Sequence, residues 1–170
     1  MCCKVMRVAT LHKPPGQWCH HCAVGQGCTI YADRPGECAA FACLWLSGET
    51  LGEEWLPARS KIVMVFDARN NHLAAHVEAG NAAALKKSPY REKLQEWMLA
   101  GLPRGGRVYL SVGGVMSLLL PDGEHLLGEL QGDDLIDVTQ MPTPMGPRWQ
   151  VTVRKPKSSD DLPGRNKSVL

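Results

Sequence analysis

The chain has 170 residues, 44% hydrophobic and 21% charged, ordinary proportions for one globular domain or a domain with a small appendage. Its formal charge of +2 is local: after residue 153, Arg154, Lys155, Lys157, Arg165 and Lys167 outnumber Asp160 and Asp161, leaving the rest near neutral. A basic nucleic-acid footprint is not supported, and no apolar run approaches the roughly 20 residues of a membrane helix.

Seven cysteines (Cys2, Cys3, Cys19, Cys22, Cys28, Cys38 and Cys43) all fall within the first 43 residues. An odd number cannot pair completely. Met1 to Arg7 lacks the basic-then-apolar layout of a secretory signal, so a cytoplasmic, reducing compartment is expected. Clustered cysteines there signal metal binding more often than disulfides.

In chain order, residues 1–32 read as loop with one short strand around Thr29-Ile30-Tyr31. Asp33 offers an N-cap and Pro35 suits a first helical turn. Cys38, Phe41, Ala42 and Trp45 follow at 3–4 spacing, which predicts a helix over about 35–47. Leu51 to Trp55 forms a further turn. Ile62 to Phe66 is β-rich and His72 to Glu78 returns as its hairpin partner. A helix is expected from Ser88-Pro89 through about Gly101, then strands over 107–112, 115–120, 124–130 and 149–154. The segments around Asp133, Asp134 and Asp137 and from Met141 to Pro147 read as solvated connections.

The expected class is therefore α+β. A cysteine-rich metal-binding module, residues 1–56, loop-rich with one helix, should pack as one unit on an antiparallel sheet with one or two helices, residues 57–155. A disordered tail, 156–170, should follow.

Cys19-His20-His21-Cys22 is a C-x2-C element whose thiolates can converge on one ion. Zinc takes four S or N ligands, and iron–sulfur clusters also take thiolates. There is no second C-x2-C, as a zinc ribbon would have, and no ferredoxin spacing. On a helix, Cys38 and Cys43 stand about 140° apart. Cys38 in the first turn is then the better ligand, and Cys43 between Ala42 and Leu44 the buried apolar thiol. His20 and His21 are expected exposed, and Arg34 to anchor its loop. His72 and His76, about 13 Å apart on a strand, read as surface residues. Trp18, Trp45 and Trp55 are expected to lid the module.

Trp18 to Leu46 resembles the YkgJ-type cysteine-cluster proteins, described as zinc- or iron-chelating domains. Their early C-C pair, G-x-C-x-I/L-Y step and R-P-x-x-C element correspond to Cys2-Cys3, to Gly27-Cys28-Thr29-Ile30-Tyr31 and to Arg34-Pro35-Gly36-Glu37-Cys38. Ala39 stands where that family carries an arginine, and its further upstream cysteine would precede Met1. The resemblance implies chelation of zinc or iron, the latter alone or as an iron–sulfur cluster. Cys3, Cys22, Cys28 and Cys38 form the core ligand set, with Cys2 and Cys19 next. No Ser-His-Asp, paired-carboxylate or 2-His-1-carboxylate pattern is visible, so a non-enzymatic metal-binding protein is expected, with a protein partner open. The alternatives are an iron-dependent or iron–sulfur enzyme, or a metal-delivery or sensing protein.

Overall fold

The computed structural model describes residues 1–48 and 51–156. Short elements come first, as Gly and Pro punctuation dictates: α1 (Cys2–Val5), β1 (Cys22–Ala23), β2 (Gly27–Cys28), α2 (Gly36–Ala40), α3 (Leu44–Ser47) and α4 (Pro57–Ser60). The β-rich runs then form β3 (Val63–Asp67), β4 (His72–Val77), β5 (Arg107–Val112), β6 (Val115–Leu120) and β7 (Gly123–Gly128). Between β4 and β5 lies α5 (Tyr90–Gly101); β8 (Leu135–Met141) and β9 (Arg148–Arg154) close the described chain. The tail expected from Pro156 lies, from residue 157 on, outside the described residues.

β3 to β7 make one sheet in sequential order. The expected antiparallel pairing holds except between β4 and β5, which run parallel. A parallel pair needs a crossover, and the 29 residues between these strands, carrying α5, supply one. Met64, Ala75 and Leu110 are register neighbours on one face. They pack with Leu94 and Met98 of α5, with Leu85 and with Trp55. Leu94 and Met98 are one turn apart, the spacing that turns two side chains to one face.

The opposite face carries two covers. At β3, Val63 and Val65 meet Val5, Met6, Phe41 and Cys43 of the N-terminal segment. Toward β6, Tyr109, Leu118 and Leu120 meet Ile136, Val138, Trp149 and Val151 of the β8–β9 ribbon. The N-terminal segment is held further by a Lys4–Glu78 ion pair and by Pro15 and Gly16 lying against the Gly113-Gly114 turn. Gly114, at φ +101°, has Pro15 where a side chain would go: a Cβ would stand 2.7 Å from its Cγ.

Several local expectations are corrected. Thr29 to Tyr31 form a turn, and the short strands are 22–23 and 27–28. The helix over 35–47 is two pieces, α2 and α3, separated by extended Phe41 (φ −77°, ψ 119°) and Cys43 (φ −72°, ψ 159°). That extended step lets Phe41 and Cys43 reach the Val63 cluster while Leu44 reaches the main core. Asp33 is not the cap; Pro35 occupies the N-cap position of α2. Trp55 does not lid the module but is buried in the main core, 4.9 Å from Tyr90 and 5.3 Å from Trp97 between ring centroids. Asp137 lies on β8 and pairs with Arg154 at 2.5 Å.

His72 and His76 are not surface residues either. Both are half-buried on the covered face of β4. His72 meets Tyr109 edge-on at 5.3 Å, and His76 lies in register between buried Val63 and Ser111. Desolvation holds the His76 imidazole down at about 4, against an ordinary 6.5. The unfolded chain therefore takes up this proton first, so the stability present above pH 6.5 is lost as pH falls toward 4. We expect roughly 2 kcal/mol of acid destabilisation from this residue. Denaturant midpoints from pH 7 to 4 should show it, and His76→Leu should flatten the curve. An unchanged acid loss in the variant would contradict a buried neutral imidazole.

Candidate metal centre

The cysteine-bearing segments are held by backbone ties that the loop-rich sequence makes possible. Cys2 and Cys3 open α1, and the Cys3 carbonyl accepts from the Cys19 N–H at 2.9 Å. Cys22 N–H closes the C-x2-C turn onto the Cys19 carbonyl at 2.9 Å. Cys22 and Cys28 are direct partners across the antiparallel β1–β2 pair, a register that puts both side chains on one face. Gly25 and Gly27, at φ +86° and +117°, make that tight return possible. Thr29 completes it, its N–H and hydroxyl both donating to the His21 carbonyl.

Cys38 lies in the first turn of α2. That helix is tied by Glu37, whose carboxylate accepts from the Ala9 N–H at 3.2 Å and the Thr10 N–H at 2.6 Å. Hydrogen bonds from Thr10, and Arg7 nearby, hold Glu37 below the usual carboxylate range. Arg34 anchors its loop, donating to the Tyr31 carbonyl and stacking 3.9 Å from the Tyr31 ring.

The thiols sense one another. Burial pushes the Cys3 thiol up to about 12, with further contributions from Cys2 and Cys22. Burial, then Glu37 and the thiols of Cys19, Cys28 and Cys2, push the Cys38 thiol up. Cys2, Cys3, Cys19, Cys22, Cys28 and Cys38 are carried on α1, the C-x2-C turn, the β1–β2 pair and α2. Cys43 stands apart, buried against Val5 and Val63. All seven are free thiols. Among the described residues no three Cys, His, Asp or Glu side chains are already drawn together as a ligand set.

Two residues here escaped the sequence reading. Lys13 is only 5% exposed, and its ammonium donates to the carbonyls of Lys4, Met6 and Pro14. Its backbone pairs with Val8 in both directions at 3.0 Å, fixing the stem that follows α1. Burial lowers the Lys13 ammonium below the ordinary lysine value, and the thiols of Cys19, Cys3, Cys2 and Cys38 pull it back up. Glu37 is the second, acting through Ala9 and Thr10. Neither carries a sequence signal, because a Lys before Pro-Pro and a Glu in a helical first turn are ordinary surface residues. Trp18 is exposed with Lys4 5.4 Å from its ring, and Trp45 bridges the two apolar clusters. His20 is exposed and His21 half-buried, their rings 3.9 Å apart.

A shallow cleft of about 340 Å³ borders this region, walled by residues 7–9 and 12–15 with no cysteine among them. No family model, curated protein or solved structure matches the chain.

Proposed function

We propose that the N-terminal segment is a thiolate metal-binding module that takes zinc or iron. The observation that carries this reading is the facing of Cys22 and Cys28 across the β1–β2 pair, with Cys19 tied by backbone to both Cys3 and Cys22. A cation resolves what the crowded thiols otherwise impose: it supplies positive charge, displaces their protons and closes the neighbourhood to bonding distance. The C-x2-C turn, the Cys22–Cys28 pairing and the likeness to zinc- or iron-chelating cysteine-cluster domains support it. Cys3, Cys22, Cys28 and Cys38 are the core ligands, with Cys19 and Cys2 beside them. The α+β body then serves as the platform that presents the module. Free thiols at such a site favour a reducing, cytoplasmic setting. Among the described residues no helix is long and apolar enough to cross a membrane.

Six thiols exceed the four of a tetrahedral centre, and Cys2 is exposed. This surplus favours metal delivery or sensing as the second reading, the spare thiols serving ligand exchange. The cleft beside the module has no thiol in its walls, which favours binding over catalysis on a substrate held there.

The test is anaerobic purification of the whole chain followed by elemental analysis and a visible spectrum. A colourless protein carrying zinc supports a structural or exchange site. Sulfur-to-iron charge-transfer bands move the reading to iron. A chain that takes up neither metal, with its accessible thiols freely titratable, overturns it.

A further inference from the structure

Cys22 and Cys28 are register partners across β1 and β2, and the hydrogen bonds around them fix what kind of pair they form. Thr29 N–H donates to the His21 carbonyl at 2.8 Å, so the positions just outside the two cysteines are bonded to each other. Cys22 N–H is used elsewhere, donating to the Cys19 carbonyl at 2.9 Å. Bonded and non-bonded pairs alternate along an antiparallel ladder, which makes Cys22 and Cys28 a non-bonded pair. Such pairs bring their Cα atoms to about 4.5 Å, with the two side chains close together on one face. A disulfide spans Cα atoms about 4.4–6.8 Å apart, so this register meets its reach.

The backbone has already closed the ring that such a bond would close. Gln26 N–H donates to the Ala23 carbonyl at 2.9 Å, and the Thr29 hydroxyl adds a second bond to the His21 carbonyl. Little further ordering is therefore needed to join the sulfurs. Both cysteines are half-buried, whereas Cys43 is sealed in the core. A Cβ at Gly25 or Gly27 would meet nothing within 4 Å, so the hairpin tip stands open to a small reagent.

We propose that Cys22 and Cys28 are a reversible dithiol, oxidised to a cross-strand disulfide by a low-molecular-weight disulfide such as oxidised glutathione. One protein sulfur gives up its proton and attacks the reagent, releasing one small thiol and leaving a mixed disulfide. The second protein sulfur, also losing its proton, then displaces the other small thiol. Two protein S–H bonds and the reagent's S–S bond break; the Cys22–Cys28 bond and two small thiols form. The two electrons given up by the pair reduce the reagent, and excess small thiol drives the exchange backwards. Disulfides of reducing compartments are mostly transient or redox-sensing, and exposed ones are the labile ones. This chemistry is independent of the metal reading.

The test equilibrates the whole reduced chain, in a metal chelator, with mixtures of oxidised and reduced glutathione. Free thiols are capped with one alkylating reagent, disulfides are then reduced, and the newly freed thiols take an isotopically heavy reagent. Cys22 and Cys28 should carry the heavy label together, in roughly tenfold excess over every other cysteine, because positioned groups react first. The intact mass before reduction should show two hydrogens lost and no glutathione gained, and dithiothreitol should restore it. In a chain unfolded by urea the heavy label should spread to other cysteines, since the register is gone. Heavy label on Cys19 with Cys22 in the folded chain makes the C-x2-C turn the redox pair and overturns the proposal. Glutathione adducts at Cys22 and Cys28 with no internal bond also overturn it, as does one label pattern shared by folded and unfolded chains. Metal uptake without the Cys22–Cys28 bond sinks the dithiol alone. The bond formed in a chain that takes up no metal sinks the metal reading alone.

Discussion

Cys28→Ala and Cys38→Ala are expected to lose metal, while Cys43→Ala keeps it and loses packing. Cys28 faces Cys22 across the β1–β2 pair, and Cys38 has the thiols of Cys19, Cys28 and Cys2 as its neighbours. Structural zinc sites are worth about 10–16 kcal/mol over four ligands, so one ligand is worth roughly 3 kcal/mol, at least 100-fold in affinity. Cys43 has none of these neighbours. It is packed among Val5, Val63 and Phe41, and trimming it to alanine should cost about 1 kcal/mol of stability with metal content unchanged. Metal per chain and chelator competition on the three variants check this. Equal metal loss at all three positions would contradict the separation of Cys43 from the cluster.

The second large effect lies in the platform. Leu118 is fully buried on β6 in the cluster that joins the sheet to the β8–β9 ribbon, among Tyr109, Leu120, Ile136, Val138 and Trp149. Leu118→Ala removes that contact and leaves a cavity between two layers, a change that costs about 3 kcal/mol in well-packed cores. Leu126 on β7 is 75% exposed, and its alanine variant should stay within about 0.5 kcal/mol of the parent. Urea unfolding of both gives the comparison. Similar midpoints for the two variants would mean that the ribbon does not cover the sheet.

Strand positions between 107 and 128 were readable because local signals agree there. Gly113-Gly114 and Asp122-Gly123 are turn chemistry, and the runs between them are apolar and β-prone. β8 was missed because Asp133, Asp134 and Asp137 outweighed the alternation of Ile136 and Val138, the two side chains that face the sheet. The parallel β4–β5 pair was hidden by the hairpin before it, although the long helical crossover is its usual mark. His72 and His76 were misjudged for a non-local reason. Their face of β4 is the polar one in a one-layer picture, and the covers come from residues 1–48 and 135–154, far away in sequence.

In the cysteine segment, an alanine-rich stretch with helical spacing favours one continuous helix, and tertiary packing of Phe41 and Cys43 overrides it. Cys43 is nevertheless the buried thiol, for reasons of packing against β3 and not of helix angle. The cysteine segment stands out in the sequence as a candidate site, since spacing and density point to shared chemistry. Lys13 does not stand out, because its burial depends on three carbonyls that only the fold brings near.

The most direct measurement is site-resolved alkylation of the reduced, folded chain with and without one equivalent of zinc, read by mass spectrometry. Zinc should block labelling at Cys3, Cys22, Cys28 and Cys38, a chelator should restore it, and Cys43 should label slowly in both states. Identical labelling at those four positions with and without zinc would contradict a thiolate metal centre in this protein.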